Sequence, residues 1–169
     1  MRRSIGILLA TLAAGVVGCG YRFTGVPRLA GDVTAVTAPV FRNATSEPGL
    51  EVVFSQRMNE LLAHAGVLSP TADTRLEGEI LSVGTAPGMV RNSAATGRSF
   101  YASFRVSGSI RVTLRQAEKV LGEAVASGNE DYLPDDQDDV LRLEAQRQAA
   151  LFRLAETLVR DAYDQLTAG

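Results

Sequence analysis

The chain contains a single cysteine, Cys19, and its neighbours say what the thiol is for. Arg2 and Arg3 make a short positive start, and residues 5–17 form an uncharged, mostly apolar run ending in Val16-Val17-Gly18-Cys19. That run is about 13 residues, whereas a helix needs about 20 to cross the apolar core of a bilayer. It reads as an export signal and not as a span. An aliphatic residue at −3 and small residues up to −1 predict that the thiol is diacylated and the chain cut after Gly18. Small residues let a peptidase hold extended backbone close to the scissile bond. Residues 1–18 are therefore expected to be a lipoprotein signal peptide, residues 19–32 a lipidated tether and residues 33–169 one domain. Each buried acyl methylene contributes roughly 0.8 kcal/mol, so two or three chains on Cys19, palmitate among them, make a firm membrane anchor.

Arginines are the next residues with chemistry to offer. Arg105, Arg111 and Arg115 share one alternation phase of a long β-like stretch, and Arg91 and Arg98 lie in residues 85–99. Guanidinium groups hold phosphates or carboxylates bidentately, which makes these five the candidate contacts to an anionic ligand or an acidic wall. Residues 129–139 carry Asp131, Asp135, Asp136, Asp138 and Asp139 but lack the glycine and closing glutamate of a calcium loop. They read as a solvated connector whose last aspartates cap a helix. His64, the only histidine, has no second histidine or cysteine to share a metal with, and it falls in the last turn of a helix. Glu77 and Glu79 share a strand face without the partners that catalysis demands. No serine elbow, paired histidines or glycine-rich phosphate loop occurs, so the chain reads as a non-enzyme with no metal and no cofactor. A formal charge of -2, falling to about -4 once Arg2 and Arg3 are removed, argues against nucleic acid as a partner.

The elements that position these residues follow from periodicity. Residues 33–41, rich in Val, Thr and Ala, are expected to be a first strand, followed by turn chemistry at Asn43-Ala44-Thr45-Ser46. A helix should begin near Glu47-Pro48, capped by Ser46 or Thr45, and close at Gly66. Residues 75–83, 100–114 and 120–127 alternate as strands, the last two joined at Gln116-Ala117-Glu118-Lys119. Residues 85–99 read as a long loop. Residues 140–166 repeat apolar positions at helical spacing over roughly 40 Å. The expected fold is α+β, a two-layer sandwich. A four-stranded mixed sheet is covered on one face by two helices, in the order strand-helix-strand-strand-strand-helix. The first crossover should make the first two strands parallel.

Several of these segments together resemble one known family. Cys19-Gly20-Tyr21-Arg22-Phe23 is similar to the Cys-Gly-Tyr-x-Phe opening of the LptE lipopolysaccharide-assembly lipoproteins. Pro39-Val40-Phe41-Arg42-Asn43-Ala44-Thr45 with Glu47-Pro48-Gly49-Leu50-Glu51 resembles that family's Pro-x-Phe-x-Asn-x-Thr turn and helix start. Residues 72–80 and the closing helix, with Arg147, Ala150, Leu151, Leu154, Ala155 and Leu158, fit as well. The resemblance implies an outer-membrane lipoprotein that plugs and helps assemble the β-barrel LptD and assists lipopolysaccharide delivery to the outer leaflet. Gly20 after the cysteine, by similarity to the enterobacterial sorting rule, agrees with the outer membrane. The implied partners are that barrel, lipopolysaccharide itself and the membrane through the anchor. The alternative is another lipid-anchored scaffold or binding module of similar architecture.

Overall fold

A computed structural model describes residues 28–92, 99–101, 103–133 and 139–168; Cys19 and Arg98 lie outside them. The elements are β1 (Arg42–Asn43), α1 (Leu50–His64), β2 (Thr74–Pro87), β3 (Val90–Asn92), β4 (Ser99–Tyr101), β5 (Phe104–Gln116), β6 (Lys119–Tyr132) and α2 (Val140–Thr167). The main sheet has the order β1-β2-β5-β6, and β3 and β4 form a separate ladder. β1 runs parallel to β2, with Arg42 opposite Glu79, while β2–β5 and β5–β6 are antiparallel. This is the expected α+β arrangement of a four-stranded mixed sheet with two helices.

Alternation builds the core. On one face of the sheet Leu76, Ile80, Val106, Ile110, Val112 and Leu114 are buried, joined by Ala124 and Ala126 on β6. Each fully buried aliphatic side chain of this kind stabilises the fold by about 1.5–3 kcal/mol. α2 sends its apolar stripe, Leu151, Leu154, Leu158 and Leu166, onto this face. Asp139 caps α2 by accepting the Arg142 backbone N–H at 3.1 Å, the role expected of the last aspartates. Glycines open the space that the helices and loops need. A Cβ on Gly78 would collide with the Phe41 ring, and one on Gly108 would lie 3.4 Å from the Leu154 side chain.

Several local expectations are corrected. Residues 33–41 do not form a continuous strand. Val36 and Thr37 make isolated bridges to Leu68 and Arg75, and only Arg42–Asn43 is a strand proper. Pro39 interrupts the ladder because it has no N–H to donate. α1 starts at Leu50 and not at Glu47, and neither Ser46 nor Thr45 caps it. Gly49, at φ 88°, is its uncharged N-cap. The Asn43 side chain organises the turn before it. Its carbonyl oxygen accepts from Thr45 N and Oγ1 at 2.9 and 2.7 Å. Its amide donates to Glu47 O and to Glu51 Oε2 at 2.7 and 2.9 Å. Gly66, at φ 72°, does end the helix as expected. The stretch 100–114 is broken after β4, residues 85–99 include the end of β2 and the β3–β4 ladder, and residues 129–132 belong to β6.

The two ends of the sheet differ. At one end is the β5–β6 turn of Ala117 and Glu118, and there Leu29 is buried. A Cβ on Gly31 would lie 3.6 Å from Leu121, and one on Gly122 only 2.7 Å from Ala30. The chain therefore enters the fold at this end. At the other end Pro87, Phe104 and Tyr132 stand in register, β3–β4 continues past them, and α2 begins. β5 alone places these ends about 40 Å apart.

Candidate interaction face

The second face of the sheet carries no helix among the described residues, and its side chains are mostly polar, with Val120 and Val125 of β6 the apolar exceptions. Arg105, Arg111 and Arg115 emerge there from alternate positions of β5, as their spacing predicts. The register then supplies partners that sequence could not name. Arg105 donates through Nε and Nη2 to Asp131 Oδ1 and Oδ2 at 2.7 and 2.9 Å. Arg111 lies between Glu79 at 3.5 Å and Glu123 at 3.6 Å, and Arg115 meets Glu77 at 3.6 Å. Arg42 on β1 pairs with the other oxygen of Glu79, so one carboxylate is shared by two guanidinium groups. The Ser82 and Ser109 hydroxyls are 2.7 Å apart across β2 and β5. Arg75 extends the row beside Glu77 and Arg115.

Electrostatics follows from this pairing. The hydrogen bonds from Arg105 hold the Asp131 carboxyl below its ordinary range, and the same contact raises the guanidinium. A shallow cleft in the face is lined by Val40, Arg42, Glu79, Arg111, Thr113 and Glu123. Opposite charges alternate across it, so the face is nearly neutral in sum and locally polar at most positions. Such a surface complements a wall of mixed polarity. It differs from the concentrated positive patch that would draw a lone polyanion from solution.

The four candidate arginines among the described residues do not all share one face, and Arg98 lies outside those residues. Arg105, Arg111 and Arg115 share this face. Arg91 instead stands in β3 opposite Phe100, on the separate ladder. The partners Arg42, Glu123 and Asp131 were missed because cross-strand neighbours depend on register; Glu77 and Glu79 were visible as a pair on one strand face. Among the described residues no group of three or more metal-binding side chains occurs, and no helix is long and apolar enough to cross a membrane. His64 is exposed, with Nδ1 2.7 Å from Glu60 O inside its own helix.

Fold and face together define a two-layer α+β domain with one sheet face left open. A rare lipoprotein B from Shewanella oneidensis matches it with a TM-score of 0.50 at 13% identity, covering 73% of this chain and 88% of that one. A candidate lipoprotein from Caulobacter crescentus matches with a TM-score of 0.52 at 15% identity, covering 76% and 88%. No curated protein sequence matches the chain. The family model for LptE, lipopolysaccharide-assembly, matches residues 33–166, and the chain belongs to that family. It is accordingly a lipopolysaccharide-assembly lipoprotein and not an enzyme.

Proposed function

We propose that this protein is exported by residues 1–18, acylated at Cys19 and held at the outer membrane, where its domain seats inside the LptD β-barrel. There it helps the barrel assemble and assists lipopolysaccharide delivery to the outer leaflet. The observation that carries this reading is the open sheet face with its paired Arg–carboxylate rows. The lumen of a large outer-membrane barrel is polar, and a plug must present polar, hydrogen-bonding surface to it. In this reading Arg105, Arg111 and Arg115 meet the barrel wall, exchanging their internal partners for groups on it. Arg91 on β3, and Arg98, which precedes β4 in the sequence, are left to meet lipopolysaccharide phosphates.

Affinity isolation of the native lipoprotein through a C-terminal tag tests this. The expected result is co-isolation of a large outer-membrane β-barrel and loss of membrane association in Cys19→Ser. Recovery without any barrel, or with an unrelated periplasmic partner, would overturn it.

A further inference from the structure

At the end of the sheet where the chain enters, the described residues leave an apolar notch open. Its floor forms because Val36 bridges to Leu68 on one side and Thr37 bridges to Arg75 on the other. Pro39 and Pro70 follow, and a proline has no N–H with which to continue either ladder. The notch, lined mainly by Thr37, Ala38, Pro39, Leu68, Pro70 and Arg75, encloses about 420 Å³, more than one aromatic side chain fills. Leu68 is 38% exposed in its wall. The exposed Arg75 stands at its rim, where a guanidinium can stack on an aromatic face.

We infer that Phe23 of the lipid tether, with Tyr21 beside it, seats in this notch and makes the tether a docked arm, an inference that rests on the lipid-anchored reading above. Both aromatic residues lie outside the described residues, and the direction of the chain selects them as occupants. Leu29 N donates to Val33 O at 2.9 Å and Val33 N to Leu29 O at 3.3 Å, across a reversal at Gly31 and Asp32 with φ of 73 and 60°. The chain before Leu29 is therefore aimed back along the residues that lead from Val33 to Thr37, a path of about 13 Å. Six residue steps separate Phe23 from Leu29 and reach about 20 Å, which covers that path with slack for a turn. Composition agrees. A plain flexible spacer is built of glycine and serine, whereas Tyr21 and Phe23 are aromatic and alternate, as do positions on one side of an extended chain. Being tethered, they meet the notch at an effective concentration in the millimolar range, ahead of any second molecule. With Phe23 seated, only four residue steps, about 13 Å, separate the notch from Cys19, against a free reach of about 30 Å from Arg28. The entry end of the sheet is thus held close to the bilayer that carries the anchor, and the domain keeps one orientation to it.

The chain has no tryptophan and one cysteine, so introduced reporters are unique. The full mature chain carrying Cys19→Ser and Phe23→Trp holds a single indole at the proposed contact. Its emission should be blue-shifted, and acrylamide should quench it at least about threefold less than free tryptophan. Leu68→Ser in the same chain should abolish both effects, with circular dichroism unchanged because Leu68 lies at the surface. In a second readout, Phe23→Cys with Leu68→Cys in the Cys19→Ser chain should form an intramolecular disulfide on air oxidation. Phe23→Cys with Val52→Cys, exposed on α1, should not. An indole as accessible as free tryptophan, equal shielding in folded Leu68→Ser, or no preference between the two cysteine pairs would overturn the inference. So would shielding that appears only at high protein concentration or with added phosphatidylethanolamine–phosphatidylglycerol vesicles, since the occupant would then be a second copy or the bilayer. The mass of the native lipoprotein is read separately, and an unacylated Cys19 would sink the anchor reading alone.

Discussion

Arg105 and Asp131 stand 26 residues apart in sequence and directly opposite in register, joined by two hydrogen bonds of 2.7 and 2.9 Å. Both side chains are about half exposed, so solvent screens the pair. Arg105→Ala and Asp131→Ala should each move the melting temperature by less than about 2 °C at neutral pH. Barrel recovery in the same strains should fall clearly for either substitution, and the exchange Arg105→Asp with Asp131→Arg should restore part of it. Equal recovery from all four proteins would remove this pair from the docking surface.

Arg147 behaves differently because it is mostly buried. It donates to Glu47 at 2.6 Å across 100 residues of chain and forks onto Glu144 at 2.8 and 2.9 Å. Arg147→Ala should cost about 1.5–3 kcal/mol by chemical denaturation. Arg147→Lys should recover less than half of that, because an ammonium cannot span both carboxylates in the fork geometry.

The same contact sets an acid limit. Hydrogen bonds from Arg147 and then Gln148 hold the Glu144 carboxyl down at about 2, against an ordinary 4.5. A carboxyl depressed in the folded state stabilises fully above its unfolded value and loses that contribution as pH falls toward the folded one. Melting temperature should therefore drop between about pH 4.5 and pH 2, and Glu144→Gln should flatten that drop. An unchanged slope in the variant would assign the acid sensitivity to other carboxylates.

Gly78 lies under the Phe41 ring, leaving no room for a methyl group. Gly78→Ala should destabilise by about 1–3 kcal/mol through overpacking, and Phe41→Leu in the same chain should relieve part of the loss. If the double variant is as unstable as the sum of the single changes, the contact is not the cause.

The layout of the fold was legible wherever one period ran long. α2, with its helical stripe, ends within one residue of its expected bounds, while β5, with its strict alternation, begins four residues late, after the break that follows β4, and ends two residues late. The short start was not legible. The Val- and Thr-rich residues 33–41 have strand composition, but Pro39 denies the ladder a donor, and the pairing partners Leu68 and Arg75 are remote in sequence. The α1 start was misplaced because the Asn43 side chain, and not Ser46 or Thr45, gathers the turn. The candidate site was half legible. Spacing put Arg105, Arg111 and Arg115 on one face, while their carboxylate partners on β2 and β6 depend on register, which the bulges at Ile80/Ser82 and Leu114/Arg115 shift.

The central claim, that the open sheet face lies against a barrel wall, is tested most directly by photocrosslinking in cells. A photoreactive residue replaces Val125, which is 46% exposed on β6. The account predicts an adduct with the LptD barrel that disappears when the lipoprotein is expressed without it. A face that captures only small periplasmic proteins, or nothing, from a lipoprotein present at normal level in the outer membrane would contradict it.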